Sequence, residues 1–213
     1  RVITVDHRGH GGSGVPSARP SEVGTLGRDV LAALDELGVE RFSVVGVSLG
    51  GAIAQWLAAT SGRVGRAVCM CTGAFMGGAD TWVPRAGQTR ADGMAPRVDG
   101  AVELWVTEAF RHTHPATTEA LRRMILSTRG TGYAACADAL AGWDFTDRLA
   151  EITVPVCTIA GPSDTSTPPE VVHAIAAGVS GPSETVTLSA GGHVPTVEVP
   201  DEVTGVLRDF LSR

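Results

Sequence analysis

A serine stands between two glycines where a strand-like run gives way to a helical one, in Phe42–Ala58 (FSVVGVSLGGAIAQWLA). Phe42, Val44 and Val45 have the short, apolar, β-branched character of a buried strand, and Ala52 to Ala58 reads as a helix. A G-x-S-x-G sequence at such a junction forms a nucleophile elbow. So tight a turn strains the serine backbone, and bulk two positions before or after it would strike the neighbouring strand and helix, hence Gly46 and Gly50. The turn lifts the Ser48 hydroxyl above the strand end. It also leaves the Leu49 backbone N–H at a helix start, where it can face a developing oxyanion.

A chain of 213 residues, 43% hydrophobic, suits one globular unit. Its net charge of −6 offers no basic footprint for nucleic acid. No apolar run approaches the ~18 residues that suggest a membrane span. Cys69, Cys71, Cys136 and Cys157 include no C-x-x-C pair and sit mostly in apolar runs or beside small residues. That pattern implies reduced structural thiols and a cytoplasmic setting.

Val2–Val5 has strand character from the first residues, so the chain reads as beginning inside a fold. Asp6–Gly14 follows as a turn-rich loop, in which His7 and His10 lack further ligands at metal spacing. Pro16–Glu22 is loop. Leu26, Val30, Leu34 and Leu37 recur at helical spacing, with Gly38 as a stop. Val64–Cys71 is the next strand. This alternation predicts an α/β architecture, a mostly parallel sheet flanked by helices. Between Thr72 and Leu149 the strands cease. Helical stretches such as Val102–Phe110 and Thr118–Leu126 predict an all-helical insertion over the strand ends, where ligands bind. The expected division is a core of residues 1–74 and 150–213 and a cap of residues 75–149. The rhythm resumes with a strand over Ile152–Ala160, interrupted by Pro155. Thr167-Pro168-Pro169-Glu170 then opens a helix with Thr167 as its N-cap. Val186–Leu188 is the last strand, and Asp201–Leu211 the last helix.

A serine hydroxyl needs a base, and the base needs an acid to hold its tautomer. His193 follows the last strand behind Gly191 and Gly192, and Asp164 sits on the Gly161-Pro-Ser-Asp turn after the strand before it. Ser48, Asp164 and His193 are therefore the candidate catalytic set, in the order Ser…Asp…His. Asp138 and Asp144 are reserve acids. His112, His114 and His173 look solvated. A second oxyanion donor is expected from a loop before the first residue of this chain, and lacking one donor costs ~10²–10³ in rate.

D-x-R-G-x-G at Asp6–Gly11, the Ser48 elbow, the Asp164 turn and Gly191-Gly192-His193 together resemble the α/β-hydrolase superfamily, from its fourth strand to its last helix. Within it, the chain resembles 3-oxoadipate enol-lactonases. The residues that carry this likeness are Trp82-Val-Pro-Arg85, Ala91–Ala95, Trp105 with Thr107–Phe110, Gly132–Ala137, Ile159–Gly161, Thr167–Pro169 and Val197-Glu198 with Pro200. Leu104-Trp105-Val106 stands where that family commonly shows Arg-Trp-Phe. The resemblance implies a cofactor-free, metal-free hydrolase of a small ester or lactone, with Arg85 and Trp105 as substrate contacts and Arg111 or Arg129 as other candidate cations. General carboxylesterases and C–C bond hydrolases share the motifs, and a non-hydrolytic ligand-binding role is the alternative outside enzymes.

Overall fold

A computed structural model describes residues 1–14 and 21–213. Most of the loop expected at Pro16–Glu22 lies outside the described residues. Among the described residues four strands form: β1 (Phe42–Val47), β2 (Val64–Met70), β3 (Val156–Ala160) and β4 (Ser183–Thr187). They pair in parallel in that order. Helices α1 (Val23–Glu36) and α2 (Leu49–Thr60) flank β1 along the chain. Between β2 and β3 come α3 (Gly78–Asp92), α4 (Val98–Trp105), α5 (Glu108–Thr113), α6 (Pro115–Ser127) and α7 (Gly130–Ala141). Helix α8 (Pro169–Gly178) joins β3 to β4, and α9 (Pro195–Glu198) and α10 (Pro200–Leu211) end the chain.

The central strands β2 and β3 are apolar on both sides because helices cover both sides. Val64, Ala67, Cys69 and Val156 face one core with Ile53 and Leu57 of α2 and Ile175 of α8. Their alternates, Val68, Met70, Cys157 and Ile159, face Val203 and Phe210 of α10. This period of two with apolar residues at both phases is what a doubly covered parallel sheet requires. All four cysteines are buried and free. Burial raises the Cys69 and Cys71 thiols to about 12, which leaves both protonated. Residues of α4 and α6 build a separate apolar cluster around Val98, Val102 and Ile125. Helices α3 and α7 pack closely through Ala86, Ala134 and Ala137.

Several boundaries differ from the sequence expectation, each for a local reason. Val2–Val5 is not in a strand. It has no ladder partner among the described residues, and a cavity separates it from the outer edge of β1, where Val45 is 42% exposed. Strand β3 starts at Val156 rather than Ile152, because Pro155 has no N–H to give a ladder. The last strand begins three residues earlier than expected, at Ser183, and stops before Leu188. The helix expected over Val102–Phe110 breaks at Val106–Thr107, where Thr107 turns to cap α5 by accepting from Phe110 N at 3.3 Å. Helix α8 is preceded by Pro168, with no side-chain cap, since the Thr167 hydroxyl is committed elsewhere.

Candidate active site

Ser48 links β1 to α2 with φ 55° and ψ −117°, a left-handed conformation that costs a non-glycine residue about 1–3 kcal/mol. Surrounding contacts hold it there. Ser48 N–H donates to Met70 O at 2.9 Å, while its carbonyl accepts from Gly51 N, Ala52 N and Thr72 Oγ1. A Cβ on Gly46 would lie 1.9 Å from Gly50 O, so the turn closes only over glycine there. The expectation for Gly50 is not met. A Cβ at that position would meet nothing within 4 Å, whereas one on Gly51 would lie 2.4 Å from Thr72 Cγ2. The helix start turns Gly50 toward open space and Gly51 toward the residues after β2. Helix α2 begins at Leu49, whose N–H has no partner among the described residues.

The other two candidates meet directly. His193 Nδ1 lies 2.8 Å from Asp164 Oδ2, with both side chains buried. The loops that carry them touch, since a Cβ on Gly161 would stand 2.2 Å from Gly192 O. Gly191 makes the approach at φ 108°, a region that favours glycine. Asp164 Oδ1 accepts from Ser166 N at 2.9 Å and Thr167 N at 3.1 Å, and Oδ2 accepts from Thr167 Oγ1 at 2.7 Å. Burial pushes this carboxyl up, but the hydrogen bonds from His193 and Thr167 outweigh it and hold Asp164 below the usual carboxylate range. An ionised carboxylate only accepts. Nδ1 therefore carries the proton, and the lone pair of the neutral imidazole sits on Nε2.

Ser48, Leu49 and His193 line one continuous cavity of about 2080 Å³. That exceeds the ~300–1,000 Å³ usual for a ligand site, because the space beside β1 is continuous with it. No hydrogen bond joins Ser48 to His193 among the described residues; the two line the same cavity. Arg85 and Trp105 also line it. Arg85 lies over the Trp82 ring, 4.6 Å from its centroid. Arg129 lines it and donates to Ser13 O at 3.2 Å. Arg111 instead serves the carbonyls of Val106 and Glu103 and is not among the lining residues.

The reserve acids go elsewhere. Asp138 pairs with Arg90, and Asp144 accepts from Thr146 N at 3.0 Å, the bond that lowers its carboxyl. His173, expected to be solvated, bridges Thr158 at 3.0 Å and Thr187 at 2.9 Å, because α8 packs its side chain against the sheet edge. Among the described residues no cluster of His, Cys, Asp and Glu could hold a metal ion. Sequence reasoning missed two features. Thr167 supports Asp164, a role masked by its resemblance to a helix cap. Arg97 lines the cavity and donates to Arg85 O and Gln88 Oε1, and no motif marks it.

The pattern of the alpha/beta hydrolase fold family matches residues 1–198. The chain belongs to that family. This α/β-hydrolase is 31% identical over 221 residues to 3-oxoadipate enol-lactonase 2 of Acinetobacter baylyi, across all of the chain and 79% of that protein. It is 33% identical over 165 residues to 3-oxoadipate enol-lactonase 1 of the same organism, a match covering 77% of the chain and 61% of that protein. The crystal structure of the enol-lactonase from Burkholderia xenovorans LB400 superposes with a TM-score of 0.93 at 31% identity, over 98% of this chain and 79% of that one.

Proposed function

We propose that this α/β-hydrolase is a serine hydrolase that cleaves a carboxylic ester or lactone through an acyl-enzyme, with an acid-bearing enol-lactone of the 3-oxoadipate type as its substrate. The observation that carries the reading is the buried 2.8 Å contact of His193 Nδ1 with Asp164, in the cavity onto which the strained Ser48 elbow opens. In the proposed cycle Ser48 Oγ attacks the carbonyl carbon while His193 Nε2 takes its proton. Asp164 stabilises the imidazolium, and the Leu49 N–H donates to the oxyanion. The imidazolium returns its proton to the leaving oxygen. An enol released in this step becomes a ketone, which draws ring opening forward. Water, deprotonated by His193, then cleaves the acyl-enzyme and restores Ser48.

Residues 1–74 and 150–213 act as the core, and residues 75–149 as a cap that supplies the substrate wall. Trp105 forms part of that wall, and Arg85 receives the substrate carboxylate. The chemistry needs no metal or organic cofactor. The test is Ser48→Ala. It is expected to lower lactone and aryl-ester hydrolysis about 10³-fold or more, and to abolish labelling by a fluorophosphonate. Undiminished hydrolysis in that variant overturns the mechanism. A panel of enol-lactones, neutral aryl esters and β-diketones separates the lactonase reading from a general esterase or a C–C hydrolase.

A further inference from the structure

Glu198, at the C-terminal end of α9, carries its carboxylate into a space between two parts of the chain that the mechanism treats separately. Oε1 accepts from Gly192 N at 2.7 Å, the peptide immediately before His193. Oε2 accepts from Thr107 N at 3.1 Å and Thr107 Oγ1 at 2.6 Å, in the segment between α4 and α5. Two further contacts run beside it. Val194 N donates to Trp105 O at 2.9 Å, and Val197 packs on the apolar cluster of α4 and α6. The fit is close, since a Cβ on Gly192 would come within 3.2 Å of Trp105 O and 3.3 Å of Glu198 Oε1. The residues on either side of His193 are thus tied to those on either side of Val106, directly from Val194 to Trp105 and through three bonds to Glu198 from Gly192 and Thr107.

We infer that Glu198 is a positioning residue that sets the His193 loop and the Trp105 wall in one fixed relation, so that the proton acceptor and the acyl pocket move together or not at all. The inference rests on the hydrolase reading above for its kinetic consequence, though not for its geometry. Three charge-assisted bonds converge on one half-buried carboxylate, and such bonds are roughly twice as strong as neutral ones. The Oε1 bond acts on His193 through the Gly192 peptide. The Oε2 bonds act on the cap through the first turn of α5. Deleting the carboxylate leaves the Gly192 and Thr107 N–H groups without acceptors and reduces the link between the two segments to the Val194–Trp105 bond and the Val197 packing. A reacting group displaced by about 1 Å loses up to roughly 10² in rate.

The experiment compares Glu198→Ala and Glu198→Gln in the whole chain, with kcat expressed per fluorophosphonate-labelled serine so that unfolded protein does not count. Glu198→Ala is expected to lower kcat per labelled site about 10- to 100-fold. Backbone amide exchange at residues 104–107 and 192–194 should accelerate together. Glu198→Gln keeps an oxygen for Gly192 N–H and an amide to donate to Thr107 Oγ1. It should hold kcat within about threefold, with the faster exchange confined to residues 104–107. A lower melting temperature with unchanged kcat per labelled serine and unchanged exchange at 192–194 overturns the inference, as does equal damage by Gln and Ala. Should the unmodified protein hydrolyse none of the panel, the hydrolase reading fails. The exchange comparison then still decides whether Glu198 couples the two segments.

Discussion

The two glycines that frame Ser48 look equivalent in the G-x-S-x-G pattern, and the structure predicts opposite outcomes when each gains a methyl. At Gly46 the new carbon would lie 1.9 Å from Gly50 O, 2.1 Å from Gly50 C and 2.6 Å from Gly51 N. Bringing the nearest contact to even 3.0 Å requires the first turn of α2 to retreat by about 1.1 Å. No flexible side chain is available to give way, because all three atoms are backbone. Overpacking against side chains costs about 1–3 kcal/mol. A clash with backbone belongs at or beyond the top of that range, so Gly46→Ala should destabilise by at least about 3 kcal/mol, roughly a hundredfold in the folding equilibrium. At Gly50 the methyl meets nothing within 4 Å, and the residue is not among those with positive φ. Alanine there removes freedom from the unfolded chain and raises helix propensity, which stabilises by about 0.4–1 kcal/mol. Urea unfolding followed by tryptophan fluorescence measures both, and the fluorophosphonate labelling rate reports whether the elbow survives. Gly46→Ala should label at least about tenfold more slowly when folded, and Gly50→Ala within about threefold. Equal destabilisation by the two substitutions, or a neutral Gly46→Ala, would refute the steric account of the elbow.

Arg97→Gln and Arg85→Gln should each raise KM about tenfold or more for a lactone bearing a carboxylate, the worth of a charged hydrogen bond. Each should leave KM for a neutral aryl ester within about twofold; a uniform rise for both substrates would count against an anion site. Burial lowers the pKa of His7, with the charge of His10 adding to the effect, and burial likewise lowers that of His173. Their neutral forms therefore belong to the folded state: stability is complete above the unfolded value near 6.5, and is lost as pH falls through their lower folded values. Urea midpoints should drop below about pH 6.5, and the His7→Gln/His173→Gln protein should show a flatter profile across that window.

Much of the framework was legible because it rests on local rules. Alternation of apolar strands with amphipathic helices identified β1, β2, α1 and α10 to within a residue or two. Turn chemistry also singled out Ser48, Asp164 and His193 as candidates, of which the structure joins Asp164 to His193 and places Ser48 on the same cavity. Competition for one group hid the rest. Thr167 has the spacing of a helix cap, but a buried carboxylate three residues earlier takes both its hydroxyl and its N–H. The Val102–Phe110 periodicity is continuous on paper. It breaks in space because Thr107 donates to a carboxylate 91 residues later, and no local window contains that partner. The Val2–Val5 segment has every local mark of a strand, yet a strand is a property of a pair, and propensity cannot supply the second member.

The same gap between local and global explains the charge of the cavity. The chain as a whole is acidic, with a net charge of −6, which taken alone argues against an anionic substrate. Yet among the described residues the carboxylate lining the cavity is Asp6, while Arg1, Arg41, Arg85, Arg97, Arg129 and Arg208 line it too, and none of the six is in an ion pair. Arg97 is held by neutral acceptors, the Thr89 hydroxyl, the Arg85 carbonyl and the Gln88 amide, which orient its guanidinium without neutralising it. Net charge acts over a Debye length of about 8–10 Å and is screened by salt, whereas cations on the wall of a cleft are screened much less. An anion close to that wall therefore responds to the guanidinium groups nearest it rather than to the sum over the chain. The guanidinium groups of Arg85 on α3 and Arg97 just before α4 therefore set the local potential at that wall, against the sign of the whole chain.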